Sequence, residues 1–289
     1  MINLIYTIIL FNILIIIFKL FEKYQVNNLQ ALIINYLTAG IFAYFFVETN
    51  FSIYYILQSE WIYHAIIIGT LFMITFNLFS LGIQKIGISV TTVANKMSLI
   101  IPVCAALILY PEQEKITIIK LIALLLAFIG IYLASTKSGQ IIFNKKYLWV
   151  IIILFIGQGL CDAIFNDFAQ RFNNTLKGES FLFFMTLFFI ASISGVIIHI
   201  TKSTKTSNIE LKNIIWGVIF GIPNFFSLFF FLKVLSDPNI LSSEAFPLLS
   251  MGIVISSSLI SVSIFKERIT KNNWIGILLS IYAIYLLSY

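Results

Sequence analysis

The chain has 289 residues, of which 60% are hydrophobic and only 10% are charged, and its mean hydropathy is +1.01. Because a soluble domain carries roughly 25% charged residues, this composition excludes a water-soluble fold and predicts an all-α integral membrane protein whose surroundings are the lipid bilayer. The net charge of +6 does not indicate nucleic-acid binding, since the lysines stand singly between apolar runs and form no patch.

About ten apolar segments are long enough to cross a bilayer, for which a helix needs roughly 20 residues. The runs are continuous and do not alternate with polar residues, which is typical of helices. In chain order the predicted transmembrane helices cover 2–20, 27–47, 61–83, 88–110, 116–135, 147–171, 179–201, 211–235, 239–264 and 271–288.

Polar side chains interrupt the first four predicted spans. Asn77, Ser80 and Gln84 of the third span recur at i, i+3 and i+7 and therefore share one helix face. Three further candidates lie in the first, second and fourth spans: Asn12, Asn35 and Lys96. Because polar groups in hydrocarbon are costly, these residues are predicted either to contact a solute or to form hydrogen bonds between helices.

The sixth span carries the most regular polar pattern. Gln158, Asp162, Asn166 and Gln170 recur every four residues, which places them in one stripe along a helix. The stripe predicts a cavity wall, with Asp162 as a site for a cation or proton; a hydrogen-bonded seam between helices is the alternative.

Later spans offer fewer polar candidates. Asn224 and Ser227 in the eighth span resemble the polar face of the third span, and Glu244 lies in the ninth. Lys96 and Glu244 occupy roughly related places in the two halves of the chain, which suggests either an ion pair between them or a clamp on a charged solute. Snorkelling of both side chains towards a helix end is the alternative.

The chain contains an internal repeat. Residues 114–135 and 267–288 are identical at ten of 22 aligned positions, and small residues coincide at a helical spacing in both. Ala123, Ala127 and Gly130 match Gly276, Ser280 and Ala283, and each set forms a face suited to close helix packing. The repeat predicts a first unit at 1–136, a linker at 137–146 and a second unit at 147–289, each with five spans. Because five is odd, the two units would be inverted relative to each other, as in many secondary transporters.

Charges in the predicted connections bear on orientation. Twelve Lys or Arg residues fall on the side opposite the N-terminus and five on the N-terminal side. Since cytoplasmic loops carry the excess of positive charge, this count predicts that both termini lie outside.

Two duplicated segments close the fourth and ninth spans. They read Tyr110-Pro111-Glu112-Gln113-Glu114-Lys115-Ile116-Thr117 and Phe265-Lys266-Glu267-Arg268-Ile269-Thr270, and Pro102 lies within the fourth span. With these features the chain resembles the drug/metabolite transporter superfamily in its ten-helix EamA-type branch. In the family a glycine precedes the glutamate of each of these segments. Here that position holds Gln113 in the first half and Lys266 in the second.

The resemblance implies transport of a small metabolite, such as an amino acid, a nucleotide-sugar or an organic cation, by exchange or proton coupling. It also implies that both termini lie in the cytoplasm, against the loop charges.

The function favoured by the sequence is therefore that of a secondary transporter in the cytoplasmic membrane, multi-pass, which moves a small polar solute by alternating access. It would act as a monomer or a homodimer, without a cofactor, metal ion or catalytic residue, because no nucleotide-binding, nucleophile or metal-ligand motif is present. A membrane-embedded lipid-modifying enzyme and a non-transporting sensor or scaffold remain the alternatives.

Overall fold

The computed structural model describes residues 2–48, 51–85, 95–111, 117–135, 147–172, 179–202, 209–263 and 270–287. Its regular structure within these ranges consists of eleven α-helices. In chain order they are α1 (Ile2–Lys23), α2 (Asn28–Tyr44), α3 (Ile53–Gln58), α4 (Ile62–Lys85), α5 (Ile100–Leu109), α6 (Ile118–Ser135), α7 (Leu148–Phe172), α8 (Ser180–Lys202), α9 (Leu211–Leu235), α10 (Ser242–Ser263) and α11 (Lys271–Leu287).

Each of the ten predicted segments overlaps one of these helices, and α3 is an additional short helix. Five helical stretches of the described residues are long and apolar enough to cross a membrane: Ile2–Phe21, Ile62–Phe79, Trp149–Phe172, Ser180–Thr201 and Leu211–Leu235. Two shorter apolar stretches cover Asn95–Leu109 and Ile118–Leu133. The prediction of an all-helical chain with several candidate membrane-spanning helices is confirmed, and the structure is consistent with a helical membrane protein.

The chain divides into two compact units, each built from two separate stretches of sequence. Unit 1 comprises Met1–Asn77 and Asp167–Ser236, and unit 2 comprises Leu78–Asn166 and Asp237–Tyr289. Both units therefore combine segments from the first and the second half of the sequence.

In unit 1, α2 packs against α8 and α9, and α1 packs against α9. Glycines permit the close approach of α9 to α2. A Cβ atom at Gly221 would lie 2.6 Å from the Cβ of Thr38 and 2.8 Å from the carbonyl oxygen of Asn35, and one at Gly217 would lie 2.7 Å from the carbonyl oxygen of Ala31. A larger residue at either position would have to displace the α2 backbone.

Stacked aromatic side chains fill much of the remaining interior of unit 1. The rings of Phe168 and Phe183 join the end of α7 to the start of α8, with centroids 3.6 Å apart and planes within 10° of parallel. Phe18 and Phe220 join α1 to α9 at 4.8 Å in an edge-on arrangement. Buried aromatic rings supply large contact areas, so they fix the spacing of these helices.

In unit 2, α6 and α11 pack most closely, and α10 contacts α5, α6 and α11. The small faces predicted on α6 and α11 meet each other, since a Cβ atom at Gly130 would lie 2.9 Å from the backbone nitrogen of Ser280 and 3.0 Å from the carbonyl oxygen of Gly276. Ala123, Ala127 and Ala283 are fully buried along the same faces. The predicted close packing through small residues is confirmed.

Candidate functional site

The polar stripe of the sixth predicted span lies on α7, well inside an apolar stretch. Asp162 is ten residues from the end of Trp149–Phe172, which at 1.5 Å per residue corresponds to about 15 Å along the helix axis. Its carboxylate and the neighbouring carboxamides all belong to unit 2, so their contacts can be followed within one compact unit.

Gln158 connects the stripe to the start of the helical stretch Asn95–Leu109. Its amide Nε2 donates a hydrogen bond to Oδ1 of Asp162 at 3.1 Å, and its Oε1 accepts one from Nδ2 of Asn95 at 3.3 Å. The next residue, Lys96, belongs to the same segment as Asn95 and is also partly buried. Asn95, Lys96, Gln158 and Asp162, all partly buried, are called the central cluster below.

Close packing brings the two segments of the central cluster together. Gly159 follows Gln158 on α7, and a Cβ atom at this position would overlap the side chain of Ile101 on α5. The absence of a side chain at Gly159 therefore lets the start of α5 approach the middle of α7, which places Asn95 beside Gln158.

One turn beyond Asp162, the stripe makes a different contact. Oδ1 of Asn166 accepts a hydrogen bond from the hydroxyl of Ser242 at 2.8 Å, and both side chains are buried. Ser242 begins α10, and two residues later the carboxylate of Glu244 forms an ion pair with Lys120 of α6. The polar residues of unit 2 thus link the segment before α5 to α7, α7 to α10, and α10 to α6.

The predicted ion pair between Lys96 and Glu244 is wrong. Glu244 pairs with Lys120 instead, and the other reading, a clamp on a charged solute, stays a prediction. The prediction rested on the equivalent places of the two residues in a repeat, and equivalence under a repeat does not imply contact.

The predicted polar residues of unit 1 form a separate set. The amide Nδ2 of Asn224 donates a hydrogen bond to Oδ1 of Asn35 at 3.1 Å, which joins α9 to α2 inside the protein, and the hydroxyl of Ser227 donates to the carbonyl oxygen of Asn224. Asn12 and Asn77 each donate a hydrogen bond of 2.7 Å to the carbonyl one turn earlier in their own helix.

Two further predicted site residues belong to α4. Ser80 and Gln84 lie on this helix, but their side chains are outside the described part of the structure. The duplicated acidic segments at 112–116 and 264–269 also lie outside the described residues.

The sequence did not predict two acidic networks of unit 1. The carboxylate of Glu179, which precedes α8, accepts hydrogen bonds from Tyr55 of α3 and from the indole of Trp61, the latter at 3.0 Å. Donation to this carboxylate raises the pKa of the Tyr55 phenol above its ordinary value. Near the start of α4, His64 contacts Asp167 at 2.8 Å, and the same carboxylate accepts from Arg171 one turn later on α7.

Other contacts at the sites were also missed. Asn95, Lys120 and Ser242 act as partners of predicted residues but stand far from them in the sequence. The spacing of Asp167 and Arg171 on one helix is the single local signal that could have been used.

Comparison with known proteins supports the fold and gives no function. No family model matches the chain. An uncharacterized protein of Haemophilus influenzae is 29% identical over 293 residues, with 99% of this chain and 97% of that protein covered. A protein of known crystal structure shares the fold with a TM-score of 0.75 at 12% identity, and the match covers 99% of this chain and 94% of that one.

Proposed function

We propose that the protein is a secondary transporter of the EamA type within the drug/metabolite transporter superfamily, which moves a small polar metabolite across the cytoplasmic membrane by alternating access. The observation that carries the proposal is the central cluster, in which two carboxamides and a carboxylate form a chain of hydrogen bonds beside Lys96, with Gln158 and Asp162 well inside an apolar helix.

The energetic cost of such a cluster argues for a functional role. Each charged residue in the middle of a membrane helix costs about 2.5–3.5 kcal/mol on insertion scales, and such residues in membrane proteins commonly mark solute or ion pathways. Asp162 and Lys96 are only partly buried. Charged groups inside membrane helices almost always face the protein interior or a water-filled cavity, so we infer that the exposed part of the Asp162 side chain meets water or a solute.

The architecture proposed for this transporter has ten transmembrane helices in two inverted repeats of five. Its support is a helix at each of the ten predicted segments, together with the matched small faces on α6 and α11 at repeat-equivalent positions. Inverted repeats suit alternating access, because each half can exchange its conformation with the other.

Replacement of Asp162 tests the proposal directly. In proteoliposomes, the wild-type protein should carry a solute first identified by a thermal-shift screen of amino acids, sugars and organic cations. The Asp162→Asn variant should lose at least nine-tenths of this flux, because it removes the negative charge at the centre of the cluster and keeps the size of the side chain.

Asp167→Asn is the matched control, since it makes the same chemical change on the same helix but in the network of His64 and Arg171. It should retain more than a third of the flux once protein amounts are equalised. Wild-type flux in Asp162→Asn would remove Asp162 from the mechanism. The absence of flux of any screened solute in the wild-type protein would contradict the transporter itself.

A further inference from the structure

The short helix α3 turns its apolar side chains away from the rest of the protein. Ile53, Tyr54 and Leu57 are 76%, 70% and 63% exposed, and because a helix completes one turn in about 3.6 residues, they share one face. A helix face that points to water normally carries charged or polar side chains. The exposed face of α3 is therefore typical of contact with an apolar medium.

Hydrogen bonds on the opposite side of α3 fix this orientation. The hydroxyl of Tyr55 donates to the carboxylate of Glu179, which precedes α8, and the indole of the buried Trp61 donates to the same carboxylate at 3.0 Å. Tyr55 thus holds one side of α3 against the start of α8. Ile53 and Leu57 could turn inward only if this hydrogen bond broke.

The apolar surface of α3 continues onto the helices before and after it. Tyr44 and Phe45 at the end of α2 and Tyr63 at the start of α4 are exposed, and Ile62–Phe79 is long and apolar enough to cross a membrane. Tyrosine is enriched where hydrocarbon meets water, since its ring is apolar and its hydroxyl is polar. Tyr44, Tyr54 and Tyr63 therefore indicate that α3 lies at the level of the membrane surface.

From these observations we propose that α3 lies in the plane of the membrane surface, with its exposed face inserted between lipid molecules. An interfacial helix of this kind typically buries its apolar face about 5–10 Å into the boundary between headgroups and acyl chains. The proposal goes beyond solute transport, since it holds whichever solute the protein carries and also if it carries none.

The charges around α3 indicate which part of the lipid it contacts. No Lys or Arg occurs between Lys23 and Lys85, and the charged residues nearest to α3 in the sequence are Glu48 and Glu60. The segment from α2 to α4 therefore offers no cation to a lipid phosphate. We expect α3 to insert through apolar contact with the acyl chains, without any requirement for anionic lipid.

The test measures the surroundings of single cysteine residues in nanodiscs that hold one copy of the protein each. In a background with Cys104→Ala and Cys161→Ala, a fluorescent label is attached to Leu57→Cys or to Glu60→Cys, which lies three residues further on and is also exposed. Nitroxide-bearing lipid should quench the label at 57 at least threefold more strongly than the label at 60, and dissolved iodide should show the reverse order. Both results should be the same in phosphatidylcholine alone and with phosphatidylglycerol added.

Three results would overturn the proposal. Iodide quenching at 57 that equals or exceeds the quenching at 60 would place the exposed face of α3 in water. Shielding that appears only in nanodiscs with two copies would assign this face to contact between copies of the chain. Shielding that requires phosphatidylglycerol would replace apolar insertion by attraction to headgroups.

A second measurement needs no substitution. The wild-type protein is irradiated in phosphatidylcholine that carries a diazirine near the start of its acyl chain, and cleavage after Glu48 and Glu60 then releases residues 49–60 as one peptide. This peptide should be labelled, with most of the label on the exposed face of α3. An unlabelled peptide, or label mainly outside that face, would contradict the insertion of α3 even if the cysteine variants failed to fold.

Discussion

Polar residues within the apolar helices differ in where their hydrogen bonds go. Asn12 and Asn77 donate to carbonyls of their own helices, so these hydrogen bonds do not connect one helix to another. Asn166 and Asn224 bond to side chains on other helices. Replacement of the second kind should therefore alter tertiary packing as well as local polarity.

The hydrogen bond between Asn35 and Asn224 offers a measurable case. Single replacements by Leu should each destabilise unit 1, because one carboxamide would remain buried without its partner. The double replacement Asn35→Leu with Asn224→Leu should cost less than the sum of the two. The expected coupling energy is about 0.6–1.7 kcal/mol, the range found for hydrogen bonds between membrane helices.

The coupling is measured by a double-mutant cycle on the free energy of unfolding in micelles. Asn77→Leu combined with Asn224→Leu serves as the control, since the amide of Asn77 donates within its own helix, and its effects should be additive. Additive effects for the first pair would show that the contact between Asn35 and Asn224 does not contribute to stability.

At the scale of residues, the sequence predicted which side chains share a helix face better than it predicted their hydrogen-bonding partners. The four-residue spacing of Gln158, Asp162 and Asn166 predicts a shared face, because a helix turns once in 3.6 residues. Their partners Asn95 and Ser242 lie more than 60 residues away. Contacts over such distances depend on how helices pack, which a local spacing does not determine.

Helices themselves follow from the apolar pattern, with one exception. Hydropathy predicts the long helices because a long apolar segment in lipid can satisfy its backbone polar groups only by hydrogen bonds within its own helix. The short helix α3 falls between the second and third predicted spans, where no helix was predicted. Its start is fixed by a local cap, in which the hydroxyl of Ser52 accepts a hydrogen bond from the backbone nitrogen of Tyr55 at 3.1 Å.

The contact of α6 with α11 allows a prediction at the level of elements. Gly130→Leu would drive a side chain into the backbone of Gly276 and Ser280, so the two helices must separate. Overpacking of this kind typically costs 1–3 kcal/mol, and we expect the midpoint of thermal unfolding to fall by several degrees.

Ile129→Leu introduces the same residue one position earlier, where the side chain is half exposed, and should leave the midpoint nearly unchanged. Gly130→Leu with the stability of the wild-type protein would mean that α6 and α11 do not approach each other closely through this face.

The whole molecule shows a limit of reasoning from repeats. Similarity between 114–135 and 267–288 identifies corresponding segments, and the corresponding helices α6 and α11 pack together in unit 2. The compact units nevertheless interleave the two halves of the chain, because packing depends on which surfaces are complementary and not on which segments are related. A repeat boundary at 137–146 therefore remains a prediction about the organisation of the sequence.

The number of membrane crossings gives the last prediction, and it can be tested without any solute. Five predicted spans separate the connection at 137–146 from the C-terminus, so the two points should lie on opposite sides of the membrane. Alkaline phosphatase is active only outside the cytoplasm, and green fluorescent protein fluoresces in it.

Because the connections opposite the N-terminus hold twelve of the 17 loop Lys and Arg residues, phosphatase should be active when fused after residue 289 and green fluorescent protein should fluoresce when inserted at 140. An insertion at 205 should agree with the one at 140, since two spans separate them. If phosphatase is instead active at 140 and green fluorescent protein fluoresces at 289, ten spans are retained and the orientation implied by the EamA resemblance is favoured. If 140 and 289 lie on the same side of the membrane, five crossings in the second half are ruled out.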